Sequence, residues 1–309
     1  MNPRKLFRLL LFTRDLRTAF CAWRLGIPWL HLEKQGKNVV IKGTNIPVTD
    51  LPSALPPGLS LHLGRLAPFG FSLQVADQQG KKVILLDTGE VKLWLDDADV
   101  TCVAEEVFGA QEYGVRVSQD TIVIDVGMHV ATTALYFAKE PHVRTVVAFE
   151  PSLSAIEKAE RNLAVNADIA KKIEVRRYAL GSENGKAYLQ VAPGLAAIGK
   201  IAQTASSETG SDDEVVEIRD AEAELQSLLA QTTNHQQIIL KVDCEGSETE
   251  IFRRFSANTL SRIDVILLEW HSPSILSEIR RTLEKSAFSL LVQRKNKDLG
   301  MLYAFRQQS

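Results

Sequence analysis

The sequence predicts an α/β protein: a largely parallel sheet with helices on both faces and a C-terminal β-hairpin, preceded by a small β-rich N-terminal region. Three observations predict it. From about residue 100, short apolar runs alternate with amphipathic stretches, the pattern of strand–helix units in a parallel sheet. Several of those runs end in a carboxylate, beginning with Asp125 ahead of Gly127. Finally, two strand-like runs at 289–293 and 301–305 flank Asn296, Asp298 and Gly300, a hairpin signal.

In bulk the chain is ordinary. Its 309 residues are 45% hydrophobic and 24% charged, typical of folded globular proteins and enough for a catalytic domain with a smaller partner. Lys+Arg 36 against Asp+Glu 38 leaves a net charge of −2, so no overall field favours nucleic acid. Cys21, Cys102 and Cys244 are widely separated, with neither metal-ligand spacing nor a disulfide framework, which fits a reducing cytoplasm.

Residues 1–36 read as an amphipathic helical segment. Arg4, Lys5, Arg8, Arg14, Arg17 and Arg24 are interspersed with Leu9, Leu10, Leu11, Phe12, Phe20, Trp23 and Trp29. There is no apolar run of spanning length and no signal-peptide pattern. The segment reads either as a helix packed on the protein or as a peripheral membrane helix using its basic face. Residues 37–99 form the β-rich region, with strand-like runs at 39–41, 59–63, 71–75 and 83–86; Pro47, Pro52, Pro56 and Pro57 make the stretch after the first run a loop.

The main domain is expected over 100–309. After a helix at 100–108 come a strand at 122–126, a helix at 131–139 and a strand at 145–149. Ser154 and Glu157 offer a capping box for the next helix, whose buried stripe is Ala155, Ile156, Ala159 and Leu163. A third strand is expected at 173–180 and a fourth at 238–243. Between them, 192–235 reads as a loop or insertion, polar and small-residue-rich over 204–214. The fifth strand covers 263–270, and Ser272 and Pro273 supply a cap and first-turn proline for a helix ending near Phe288.

The chemistry is expected beyond the carboxyl ends of these strands, where open α/β sheets bind ligands. The first strand runs through Asp125 and Gly127 into a helix. It supplies one glycine, whereas a nicotinamide or flavin site needs G-x-G-x-x-G. A carboxylate there disfavours a diphosphate and suits a cation, as S-adenosylmethionine is through its sulfonium and ammonium. Glu150 ends the second strand and, as an acceptor-only group, suits two ribose hydroxyls. Asp243 ends the fourth strand, placed for the ammonium end of the ligand or a substrate hydroxyl. Glu248 reads as a favourable charge at a helix N-terminus, and Cys244, between carboxylates, is a poor nucleophile. Glu269 and His271 share a face if their strand stays extended. His271, neutral near pH 7, is the first candidate for general base and Asp243 the second. Asp243, Glu245, Glu269 and His271 could also assemble a hard-cation site, but the spacing does not require one and no metal is expected.

Four segments, in order and spacing, resemble the FkbM family of methyltransferases over about residues 100–306. They are Val123-Ile124-Asp125-Val126-Gly127, Ala148-Phe149-Glu150-Pro151, Tyr178-Ala179-Leu180-Gly181 and Leu240-Lys241-Val242-Asp243-Cys244-Glu245-Gly246-Ser247-Glu248. The resemblance implies a seven-stranded class I methyltransferase (Rossmann-like) fold, S-adenosylmethionine as methyl donor, and O-methylation of a sugar, polyketide or related metabolite. The family's first turn reads D-V-G-A-N-x-G-D; here His129 stands at the asparagine, Ala131 at the second glycine and Thr132 at the aspartate.

The expected cofactor residues are therefore Asp125, Gly127, His129, Glu150 and Asp243, with adenine near Ala179 and Leu180. The expected partner is a small-molecule or glycan acceptor. The first alternative is a non-catalytic cofactor-binding or interaction protein on the same fold. The second, an NAD(P)-dependent oxidoreductase, lacks its glycine motif.

Overall fold

A computed structural model describes residues 3–24, 27, 32–42, 46–51, 65–78, 81–95, 98–191, 199–202, 213–233 and 235–307. Its contacts separate a unit Met1–Gln111 from a unit Glu112–Ser309.

In the first unit the expected helical segment is two helices, α1 (Pro3–Thr13) and α2 (Leu16–Arg24). They part at Arg14, whose φ of 56° no helix continues through. Asp15 then opens α2 by accepting the Thr18 N–H at 2.6 Å. A hairpin of β1 (Leu32–Gln35) and β2 (Asn38–Ile41) follows, then an antiparallel sheet of β3 (Ser72–Gln78), β4 (Lys81–Asp87) and β5 (Lys92–Leu95). Ile84, Leu86 and Leu93 are fully buried in this unit. The 59–63 run, Pro52, Pro56, Pro57 and Trp29 lie outside the described residues. α3 (Ala98–Ala104) and the π-helical turn Glu105–Gly109 close the unit.

The second unit is built on seven strands in the order β15-β16-β14-β13-β6-β7-β8. These are β6 (Thr121–Val126), β7 (Val143–Phe149), β8 (Ile173–Arg176), β13 (Gln237–Val242), β14 (Val265–Trp270), β15 (Phe288–Arg294) and β16 (Gly300–Arg306). β8, β7, β6, β13 and β14 are parallel, and β16 runs antiparallel to both β14 and β15. This is the expected class I methyltransferase sheet, with the C-terminal hairpin on its edge. The central strands are apolar almost throughout because both faces are covered. On one face Ile124, Val126, Leu240, Val242, Ile266 and Leu268 pack with residues of three helices: α7 (Ala221–Leu229), α8 (Glu248–Arg254) and α10 (Pro273–Lys285). Alternation sends Val123, Asp125, Ile239, Lys241, Leu267 and Glu269 to the opposite face. The order of strands reverses between β6 and β13, so the crevice at their carboxyl ends is the topological switch point.

Three expectations change. The third strand divides: β8 ends at Arg176, and β9 (Ala179–Gly181) joins a second sheet in the order β11-β10-β12-β9. Tyr178 stands at the departure. Its ring packs edge-on against Phe149 at 5.6 Å, Arg219 lies 3.9 Å over its face, and its hydroxyl donates to Glu224 at 2.9 Å. The stretch 192–235 is correspondingly not all loop. β10 (Gly185–Val191), β11 (Gly199–Ala202) and β12 (Glu214–Asp220) build that second sheet, and Asp220 caps α7 by accepting the Ala223 N–H at 2.9 Å. Residues 192–198 and 203–212 lie outside the described residues.

Between β6 and β8 come α4 (Thr132–Ala138), α5 (Leu153–Ala164) and α6 (Ala167–Ala170); α9 (Ala257–Ser261) precedes β14. The third change concerns α5. Its cap is Ser152, whose hydroxyl accepts the Ala155 N–H at 3.3 Å, rather than Ser154. Ala155, Ile156 and Ala159 are buried as expected, but Asn162 rather than Leu163 completes the stripe, donating to the Val130 carbonyl at 3.0 Å. The α10 cap is as expected, with Ser272 accepting from Ile275 ahead of Pro273.

The position of the α5 cap is testable by urea denaturation. Ser152→Ala should cost about 1 kcal/mol, while Ser154→Ala should change stability by less than about 0.5 kcal/mol. The reverse ranking would place the cap at Ser154.

Candidate functional site

Asp125 and Lys241 are register partners on adjacent parallel strands and project from the same face. Both are shielded from solvent, at 0% and 1% exposure, with Lys241 Nζ 3.0 Å from Asp125 Oδ1. The same ammonium donates to the Gly127 carbonyl at 2.5 Å and lies 3.9 Å from Asp243 Oδ2. Burial alone would lower the Lys241 pKa, but the charges of Asp125 and Asp243 prevail and hold it above its ordinary value. Asp125 is raised by burial against the pull of Lys241. Asp125 is thus held in a buried ion pair by a lysine that is not among the expected cofactor residues. The available signal was a charge inside the apolar run Ile238-Ile239-Leu240-Lys241-Val242.

Gly127 has φ +82°, and a Cβ there would meet the Asp243 carbonyl oxygen at 1.7 Å. A close approach that requires glycine is therefore the one between the β6 turn and the chain leaving β13. The turn continues left-handed through His129 (φ 54°) and Ala131 (φ 68°), two positions unfavourable for residues with a Cβ. The His129 N–H donates to Glu150 Oε2 at 2.8 Å, and the Ser152 N–H donates to Glu150 Oε1 at 2.9 Å. Glu150 is 8% exposed, and burial pushes its carboxyl up to about 7 in spite of those two bonds. Each oxygen retains a lone pair.

Asp243, Glu245 and His271 come together at the ends of β13 and β14. His271 Nε2 lies 3.5 Å from Glu245 Oε2 and 3.7 Å from Asp243 Oδ1; its Nδ1 lies 2.7 Å from Glu248 Oε1. Glu248 is fully buried, so it is the orienting partner of this histidine as well as a first-turn acid of α8. Burial acts to lower the His271 pKa, but Glu248, Asp243 and Glu245 outweigh it and raise it to about 9. The expectation of a neutral imidazole near pH 7 is therefore reversed. Among the described residues, Asp243, Glu245 and His271 also offer ligand atoms within 4.8 Å of one another, close enough to share an ion.

Glu269 pairs with Lys295 at 3.0 Å, Lys295 with Glu112 at 2.7 Å, and the Tyr113 hydroxyl bridges Asp243 and Glu269 at 3.3 and 3.4 Å. Tyr113, Glu112 and Lys295 had no legible motif. Ala179 and Leu180, expected near adenine, sit in β9 in the second sheet, paired with Ile218 and Arg219; Leu180 lies in the core. Burial and the surrounding carboxylates raise the Cys244 thiol well above its ordinary value, leaving it a poor nucleophile.

Two outcomes follow from this geometry. Lys241→Met leaves Asp125 buried without its counter-ion and should cost about 3–5 kcal/mol by urea denaturation, with part regained when Asp125→Asn is added. His271 has a raised folded pKa, so its contribution to stability is complete below about 6.5 and lost as pH rises through about 9. The stability difference between the parent and His271→Asn should shrink across that window; a constant difference would mean that folding does not raise the pKa of the ring.

A family model described as the methyltransferase FkbM domain matches residues 125–290. A curated relative, Methyltransferase 1 of Beauveria bassiana (strain ARSEF 2860), is 22% identical over 210 residues, covering 63% of this chain and 84% of that protein. Among solved structures, methyltransferase FkbM from Methylobacillus flagellatus KT is 14% identical with a TM-score of 0.44. The match covers 67% of this chain and 51% of that one, so the chain spans about half its length. Precorrin-6y C5,15-methyltransferase from Geobacter metallireducens GS-15 is 12% identical with a TM-score of 0.38, covering 69% and 90%. With more than half of its residues inside the family model, the chain belongs to the FkbM methyltransferase family.

Proposed function

We propose that this chain transfers a methyl group from S-adenosylmethionine to a hydroxyl of a sugar, polyketide or related metabolite. The observation that carries the reading is the excess of carboxylate at the switch-point crevice. Glu112, Asp125, Glu150, Asp243, Glu245, Glu248 and Glu269 gather there around Lys241, Lys295 and His271. Asp243 and Glu245 retain 26% and 31% side-chain exposure toward solvent. Such a site suits a cationic ligand that also carries a ribose diol.

When bound, S-adenosylmethionine supplies an electrophilic methyl group on a sulfonium. Glu150 would accept from ribose hydroxyls through its remaining lone pairs, and a diol donating to it would favour the carboxylate that burial otherwise disfavours. Asp243 and Glu245 would face the ammonium end. Asp125 acts from below: through Lys241 it holds the Gly127 carbonyl, and with it the turn from which His129 donates to Glu150. The protein's main contribution is positioning and water exclusion. As an imidazolium at neutral pH, His271 has no free lone pair for a substrate proton, so Asp243 becomes the first candidate to receive it and His271 holds the surrounding carboxylates in place. A non-catalytic cofactor-binding protein is the second reading, favoured by His129 and Ala131 in the first turn.

Calorimetry with S-adenosylmethionine tests the first half. The folded chain should bind, and Glu150→Ala should weaken binding by at least about tenfold, the loss of a charge-assisted hydrogen-bond pair. A panel of hydroxylated sugars and polyketides with radiolabelled methyl donor tests the second. Methyl transfer that does not climb through about pH 9 supports Asp243 over His271. Absence of cofactor binding would sink the enzyme reading, and binding without transfer to any acceptor would favour the second.

A further inference from the structure

We propose that the α1–α2 pair is a docking surface for an anionic phospholipid bilayer, an inference independent of methyl transfer. In α1, Leu9 and Thr13 are buried, while Phe7 and Leu11, one turn apart, are 62% and 64% exposed. In α2, Thr18, Ala19 and Ala22 are buried, while Leu16 and Phe20 are 66% and 49% exposed. Each helix therefore has its packed stripe and, on the solvent side where a surface helix places polar residues, a second apolar stripe. Of the nine large hydrophobic side chains exposed among the described residues, four belong to this pair, and apolar exposure concentrated in this way marks an interaction site.

The frame around the patch selects the occupant. Lys5, Arg8, Arg14 and Arg17 are exposed. Arg8 lies one turn before Leu11 and Arg17 one turn before Phe20, each a neighbour on the same helix surface. Asp15 is the single acidic residue in positions 1–24, and its carboxylate is engaged by the Thr18 N–H. Apolar side chains set among cations match acyl chains beneath anionic headgroups. A second copy of the chain would bring the same cations against each other. No helix among the described residues is long and apolar enough to cross a membrane, so the contact is interfacial.

The test is cosedimentation of the full chain with vesicles of phosphatidylcholine containing a minority of phosphatidylserine, and with vesicles of phosphatidylcholine alone. The parent should sediment with the anionic vesicles only, and less as salt is raised. Arg8→Gln and Arg17→Gln should each lower binding about fivefold, and Leu11→Ser with Leu16→Ser by at least about tenfold. All four side chains are exposed, so the variants should melt with the parent. Failure to sediment with anionic vesicles would overturn the proposal, as would equal binding by parent and variants. So would self-association of the lipid-free parent that the leucine substitutions abolish, which would make a second copy the occupant.

Discussion

Lys241 crosses from β13 to Asp125 on β6 at a depth where neither side chain meets water. Two charges are tolerable there because each is the other's counter-ion and the remaining donors of the ammonium reach backbone carbonyls of Val126 and Gly127. Those carbonyls belong to the turn leaving β6. The pair therefore fixes more than its own strands: it sets the path of the chain into the crevice. The Asp243 carbonyl packs where a side chain on Gly127 would stand, and the Asp243 N–H donates to Val126 at 3.0 Å. Strand register, turn conformation and the placement of Asp243 are one mechanical unit.

Around that unit, burial and charge compete with opposite outcomes at two groups. Glu150 has backbone donors but little neighbouring positive charge, so desolvation prevails and its carboxyl rises to about 7. His271 is also largely buried, but it lies among Glu248, Asp243 and Glu245, and their field prevails over desolvation. One crevice thus holds a carboxyl inclined toward its neutral form at the end of β7 and an imidazole inclined toward its charged form at the end of β14. The histidine is the better anchor and the poorer base.

The first turn shows how a left-handed backbone is held at residues that carry a Cβ. His129 and Ala131 adopt left-handed backbone, at a cost of about 1 kcal/mol or more each. The conformation is held by bonds that do not depend on those side chains. The Glu150 carboxylate accepts the His129 N–H, Asn162 donates to the Val130 carbonyl, and the N–H groups of Gly127 and Met128 both reach the Phe149 carbonyl.

What the sequence determined by itself is local or periodic. Apolar runs located β6, β7, β13 and β14, the Ser272 and Pro273 pair located the start of α10, and strand-end acids located the crevice, because each signal lies within a few residues of the structure it specifies. The tertiary structure decided the rest. Residues 173–180 read as one continuous strand, but at Tyr178, held by Phe149, Arg219 and Glu224, the chain turns into a second sheet. Ser154 offered the cap in the sequence, and the folded chain places it at Ser152 instead. Asp125 and Lys241 are 116 residues apart and become partners only through the order of strands in the sheet. The charge on His271 depends on three carboxylates delivered by another strand end and the start of α8. A pKa is set by distances through space and by solvent removed, and neither is written in the spacing of residues along a chain.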